Sequence, residues 1–279
     1  MKFLQCGSYR LTLDRPLLMG VVNVTPDSFS DGGRYLQTAA AVTHARQLVA
    51  EGADILDIGG ESTRPGAASV SLEEERRRVL PVLEALADAG VPLSLDTQKP
   101  ELMREAAAAG VAMINDVNGF ESAGAFEAVL AGDSAICIMH RQGNAQTMQQ
   151  SPQYADVVDE VQGYLEQRVA AAQRAGLGRE RIVIDPGFGF GKTLDHNLEL
   201  LRFMGRFAAS GIPVLAGLSR KSMIGALTGR DTGDRVFGSV AAALVAAQRG
   251  AAILRVHDVA ATRDALAIWN AVESGKNRD

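Results

Sequence analysis

The stretch "VPLSLDTQKPELMREAAAAGVAMINDV", Val91 to Val117, holds two short apolar runs separated by an Ala-rich segment. The runs "VPLSLDT" and "AMINDV" show little apolar–polar alternation, the pattern of strands buried on both faces of a parallel sheet. The segment between them, "KPELMREAAAAG", reads as an amphipathic helix that stops at Gly110, where a left-handed residue ends a helix at little cost. Strand, helix and strand in this order make one β–α–β unit. The two strands end on residues able to do chemistry, Asp96 and Asn115.

The same unit recurs along the chain. Further runs of the strand type are "LLMGVVN", "DILDIGG", "AICIMH", "RIVIDPG", "PVLAGLS" and "AAILRVHD", and helical segments such as "LQTAAAVTHARQLVAEG" and "DVVDEVQGYLEQRVAAAQRAG" lie between them. Several helical segments stop on glycine, at Gly52, Gly90 and Gly176 as at Gly110. About eight such units point to an α/β fold, a (β/α)8 TIM barrel, with a doubly wound open sheet as the alternative. The strand ends discriminate between the two. Asn23, Asp57, Glu61 to Arg64, Asp96, Asn115, His140, Asp185, Ser219 to Lys221, Arg255 and His257 all fall at or just beyond the C-terminal edge of a run. An open sheet focuses its site at one crevice, whereas a barrel gathers every such loop around one mouth, so the barrel explains the pattern better. The first residues, "MKFLQCGSYRLTLD", alternate enough for a short N-terminal β-hairpin, expected to plug the opposite end. No linker or repeat divides the chain, and residues 1–279 are read as one domain.

Composition narrows the function. A net charge of −5 over 279 residues supplies no basic field for nucleic acid or an anionic membrane. No apolar stretch approaches the roughly 18 residues of a membrane span. In "MKFLQC" only Phe3 and Leu4 separate the lysine from Gln5 and Cys6, too few for a signal core. Cys6 and Cys137 are the two cysteines, Cys137 inside an apolar run, which fits a reducing cytoplasmic compartment.

The motifs point to a flat heterocycle and an anion. "IDPGFGFGKT", Ile184 to Thr193, resembles a phosphate loop but has Pro186 where that loop requires glycine, and its alternating glycines miss the dinucleotide fingerprint. Its glycines would instead let backbone approach a flat ligand, with Asp185 at the strand tip. Asp96, Asn115 and Asp185 together form a donor and acceptor set suited to an aminopyrimidinone edge, whose parallel N–H groups can meet one carboxylate. Arg64, Arg220, Lys221, Arg255 and His257 around one mouth, in an acidic chain, point to a phosphate or pyrophosphate. His140 is a further candidate lining residue, and His44 reads as a solvated helix residue. No His or Cys pair has zinc-ligand spacing. Asn23, a hard oxygen donor, is the candidate contact for Mg²⁺ arriving with the substrate.

The strings "MGVVNVTPDSFSDGG", "DIGGESTRPGA", "SLDTQKP", "INDV", "IMHRQGN", "IDPGFGFGKTLDHN", "GLSRKSMIG" and "RVHDV", in order from Met19 to Val259, resemble the dihydropteroate synthase family of the folate pathway. The resemblance implies a barrel that condenses 6-hydroxymethyl-7,8-dihydropterin pyrophosphate with p-aminobenzoate. By position, Asp96, Asn115, Asp185 and Lys221 match that family's pterin-binding residues, with Met139, Phe190 and Gly217 lining the pocket. Asn23 matches its Mg²⁺ contact, and Thr63, Arg64, Arg255 and His257 its pyrophosphate side. Phe29, Pro65, Arg220 and Ser222 match the surroundings of the p-aminobenzoate site. "NDVNGF" and "KTLDHN" vary only where no chemistry is assigned. Asp96, Asp185, Lys221, Arg255 and His257 are the residues expected to carry catalysis. The resemblance further implies a homodimer, through the helices around Phe237 to Gln248 and Trp269, and a closing lid, Thr25 to Gly33, whose Phe29 helps enclose the amine. Rival readings are a Schiff base at Lys221, a pterin-dependent methyl-transfer barrel, and a non-catalytic pterin-binding protein.

Overall fold

The computed structural model describes residues 3–25, 34–62, 66–143 and 147–274. Two short strands come first, β1 (Phe3–Cys6) and β2 (Tyr9–Thr12), paired antiparallel. Eight parallel strands follow: β3 (Leu17–Asn23), β4 (Ile55–Gly59), β5 (Leu93–Asp96), β6 (Met113–Asp116), β7 (Ala135–Met139), β8 (Ile182–Asp185), β9 (Leu215–Ala216) and β10 (Ile253–Val256). Their spatial order is β8-β7-β6-β5-β4-β3-β10-β9. A parallel bridge from Ile184 to Val214 joins the two ends of that order, and the Ile184 N–H donates to the Pro213 carbonyl at 3.0 Å. The sheet therefore closes into a barrel, and the open-sheet alternative falls.

The helices are α1 (Arg34–Glu51), α2 (Leu72–Ala85), α3 (Pro100–Ala108), α4 (Ala125–Leu130), α5 (Val157–Ala175), α6 (Leu194–Arg202), α7 (Met204–Ala209), α8 (Ser222–Thr228), α9 (Val236–Gln248) and α10 (Val259–Ser274). Their ends follow local chemistry. Asp156 caps α5 by accepting from the Val158 and Asp159 N–H groups, and Gly176 ends it in the left-handed conformation at φ 110°.

Strand geometry then sorts the apolar residues into two layers, because successive side chains point to opposite faces. Leu18, Leu56, Leu95, Ile114, Ile136, Ile182 and Leu254 pack in the layer shared with the helices. Met19, Ile55, Met113, Cys137, Val183, Leu215 and Ile253 form a separate cluster inside the barrel, and Leu4 and Cys6 of the hairpin join it. The Cys6 thiol donates to the Ala112 carbonyl at 3.3 Å, and the Gly7 N–H donates to the Asp133 carbonyl at 3.1 Å. Gly7 has φ +57°, and a Cβ there would stand 3.0 Å from the Ala112 Cα, so glycine is what lets the hairpin sit this close. The expected plug is present. Because it seals one end with apolar side chains, polar residues of the inward faces collect at the other. Leu4→Ala should cost about 2–5 kcal/mol in a urea titration, with substrate KM values unchanged; an altered KM would show that the plug reaches the mouth.

Candidate active site

The inward faces that fill the barrel floor continue two residues further to its mouth. Ile55 leads to Asp57, Met113 to Asn115, Val183 to Asp185 and Ile253 to Arg255, each by the two-residue strand period. Arg255 Nε donates to Asp57 Oδ2 at 2.6 Å, and its NH2 group donates to Asp96 Oδ2 at 2.9 Å. Asn115 Nδ2 donates to the same Asp57 oxygen at 3.1 Å. One guanidinium thus joins two carboxylates, with Asp57 wholly buried beneath. The sequence marks Asp57 as a strand-end residue but assigns it no task. Its task, holding Arg255 and Asn115, depends on strands far apart in the chain.

Burial pushes the Asp96 carboxyl above the usual carboxylate range, the Arg255 charge opposes this, and neighbouring Asp57 reinforces it. Asp185 is pushed up by burial as well, with Lys221 and the Gly187 N–H opposing; that N–H donates to Asp185 Oδ1 at 2.7 Å. Two desolvated carboxylates at one mouth gain most from a ligand that brings N–H donors. Lys221 donates to the Phe188 carbonyl, and its Nζ lies 4.6 Å from the centroid of the Phe190 ring, within cation–π range. Gly217 keeps open the space between the cations, since a Cβ there would stand 3.8 Å from Arg255 Cβ and 3.9 Å from Lys221 Nζ. Met139 ends β7, where its Cγ would lie 3.3 Å from a Cβ on Gly187.

The Gly-rich loop departs from expectation. A Cβ on Gly187 would stand 1.8 Å from the His140 carbonyl oxygen, and one on Gly191 would stand 2.4 Å from that of Gln142. At these two glycines the missing Cβ admits a neighbouring loop; Gly187 also borders Met139, and Gly189 faces Lys221. His140 is likewise buried against Lys192 and edge-on to Tyr164 at 4.9 Å, packed behind the loop. Burial, reinforced by Lys192, pulls its imidazole down to about 3.

The sequence matches the model of the pterin binding enzyme family over residues 19–257. It is 55% identical over 273 residues to the dihydropteroate synthase of Neisseria meningitidis serogroup C, covering 96% of each chain. The chain belongs to the dihydropteroate synthase family. Among solved members, the Xanthomonas albilineans dihydropteroate synthase with 4-aminobenzoic acid superposes with a TM-score of 0.92, at 55% identity and 98% coverage of both chains. The same organism's dihydropteroate synthase in complex with 7,8-dihydropteroate gives a TM-score of 0.89 at 52% identity, covering 98% of this chain and 99% of that one. The enzyme is thus a transferase.

Further residues of the dihydropteroate synthase pattern, among those described, stand at the ends of β3, β9 and β10 and at the start of α8. Asn23 closes β3 opposite Gly59 of β4. The Ser219 hydroxyl accepts from the His257 backbone N–H at 3.2 Å and meets His257 Nδ1 at 3.0 Å, which orients the imidazole. Arg220 is held at φ +59° and forms a two-pronged pair with Asp258, at 3.1 and 2.5 Å. Its guanidinium therefore ties the loop after β9 to the loop after β10. Its backbone N–H donates to Ser239 Oγ of α9 at 2.9 Å. Ser222 is exposed at the start of α8. Phe29, Thr63, Arg64 and Pro65, and the lid apart from Thr25, lie outside the described residues. Lys99 bridges Glu61 and buried Glu75, which anchors the end of β4's loop just before residue 63.

Burial brings the Lys221 ammonium down to about 8, against the opposing pull of Asp185. In the free enzyme kcat/KM should fall as pH rises through about 8 and the cation is lost. Lys221→Arg, which stays charged, should remove this alkaline limb even if its maximal rate is lower. An unmoved limb would assign it to another group.

Proposed function

We propose that the chain joins 6-hydroxymethyl-7,8-dihydropterin pyrophosphate to p-aminobenzoate, forming 7,8-dihydropteroate and pyrophosphate. The observation carrying this reading is the pair of buried carboxylates, Asp96 and Asp185, at one barrel mouth with Arg255 and Lys221 between them. A pterin presents a ring N–H and an exocyclic amine as parallel donors, which a carboxylate accepts together. Relatives of this chain hold 4-aminobenzoic acid and 7,8-dihydropteroate. The mouth with its hairpin-sealed barrel acts as one catalytic domain.

The nucleophile is an aromatic amine, unprotonated at neutral pH, so the site needs no strong general base. Departure of pyrophosphate is the harder step. Arg255, held by Asp57, and His257, held by Ser219, are assigned to that group, with Arg64 and Thr63 added by the family pattern, and stabilise the charge it develops. Asp96 and Asp185 favour the positive charge that spreads into the reduced pterin as the bond breaks. Bond breaking therefore runs ahead of amine attack, and a tight, concerted displacement in an isotope-effect study would contradict it. The family pattern assigns Phe29, Pro65 and Ser222 to the amine's side of the mouth.

Among the described residues no group of three or more His, Cys, Asp or Glu side chains could hold a metal. A single amide oxygen at Asn23 fits Mg²⁺ that is carried by the diphosphate itself, since this cation keeps most of its shell from phosphate and water. Bound there, the ion supplies further neutralisation of the leaving group. Pyrophosphate release, measured with each substrate omitted in turn, should require both. Steady-state release from the dihydropterin substrate that is as fast without p-aminobenzoate as with it would sink the assignment.

Two copies pair through the last helices in this reading. Phe237 of α9 is 88% exposed, and Ile268 and Val272 of α10 are 69% and 74% exposed. Trp269, by contrast, packs on the helix layer of the core and contributes to folding. Phe237→Asp should shift the sedimentation coefficient from dimer to monomer; a native protein that is already monomeric would reject the interface. Two free, buried cysteines fit a reducing cytoplasm. Among the described residues no helix is long and apolar enough to cross a membrane.

A further inference from the structure

Lys192, between β8 and α6, is 3% exposed and takes no part in the chemistry described above. A lysine is rarely so buried unless its ammonium finds partners, because the desolvated charge is costly. Burial accordingly pulls its amine well below its usual range, with Asp185 opposing. Its Nζ lies 2.9 Å from His140 Nδ1 and donates to the Phe190 carbonyl at 3.1 Å and the His140 carbonyl at 3.4 Å. These acceptors belong to two different loops. His140 follows β7, and Phe190 stands on the Gly-rich loop after β8.

The same loop is gripped at the Phe188 carbonyl by Lys221. Two lysines thus hold alternate carbonyls of one short segment, and the Phe190 ring above it stands 4.6 Å from the Lys221 Nζ. Gly187 and Gly191, on either side of Phe190 in the chain, let this loop pack directly on the one after β7. Without the amine, the buried His140 carbonyl and the half-buried Phe190 carbonyl lose a donor, and the loop is driven to shift toward water. We propose that Lys192 is a positioning residue, a buried clamp that ties the Phe190 loop to the end of β7 and so sets the Phe190 ring over Lys221 in the pterin pocket. The inference rests on the reading of Phe190 as a wall of that pocket.

The test is a double-mutant cycle between Lys192→Met and Phe190→Ala, read as kcat/KM for the dihydropterin pyrophosphate at saturating p-aminobenzoate, with the thermal midpoint recorded beside it. K192M should lower kcat/KM about 10- to 100-fold in the native background, and by less than about threefold on F190A, because the clamp acts through a ring already removed. Lys192→Gln, which keeps two N–H donors, should recover part of the loss. A thermal midpoint that falls while kcat/KM stays native, or an equal loss in both backgrounds, would make Lys192 merely structural and overturn the proposal. Native kcat/KM in F190A itself would overturn the pocket reading instead, and the clamp's purpose with it. If K192M does not fold, His140→Leu keeps the lysine and removes one acceptor; its smaller loss should again vanish on F190A, and additivity there would refute the clamp.

Discussion

Asp57→Asn should reduce kcat/KM for the dihydropterin substrate about 10²- to 10³-fold and lower stability by about 3–5 kcal/mol, the cost of breaking a buried ion pair from one side. One Asp57 oxygen accepts from both Arg255 Nε and Asn115 Nδ2, so the substitution disturbs two pocket residues at once. Asparagine fills the same space but brings no charge, and Arg255 keeps only Asp96 as its partner. The guanidinium is then no longer fixed in the position from which it meets the leaving group. Urea titration and steady-state kinetics measure the two losses separately. A folded variant with native kcat/KM would show that Arg255 needs no support from below.

The other large effect falls on Asp185. Asp185→Asn should cost at least about 10³-fold in kcat/KM for the dihydropterin substrate, because an amide replaces one acceptor by a donor that faces the ligand's own N–H groups. Stability should move the opposite way. Burial raises the Asp185 pKa in the folded chain, so the unfolded chain holds fewer protons on this carboxyl, and stability is lost as pH rises from 3.8 through the folded value. Asparagine removes that penalty, and the variant should be at least as stable as the native chain at neutral pH in urea. Asp185 also supports the Lys221 ammonium, so the alkaline limb near pH 8 should shift lower in the variant. A limb that rises would contradict the arrangement of charges described here.

The strands were readable because their signal is local. Runs such as "AICIM" and "RIVID" carry their burial in their composition, and each became a strand where it was expected. The strand-end residues Asn23, Asp96, Asn115, Asp185 and Arg255 were readable for the same reason: a polar residue that breaks off an apolar run falls at the mouth of a parallel barrel. The Gly-rich loop was misread in part. A glycine reports that something comes close, and the sequence does not say whether it is a ligand or the carbonyl of residue 140 or 142. Lys192 has no such signal: a lysine beside glycines looks like a solvated loop residue, and its partner His140 comes from another unit.

By itself, then, the sequence determined the order of strands and helices, the closed α/β architecture, the end of the barrel that carries the chemistry, and the family. These follow from two periodicities and from turn residues, all set within a few positions of the chain. Tertiary structure alone decided the partners. Arg255 meets Asp57 across 198 positions, Lys192 meets His140 across 52, and Arg220 meets Asp258 across 38. Closing the barrel brings such residues within hydrogen-bond distance, and no local pattern specifies which donor will find which acceptor once the loops stand side by side.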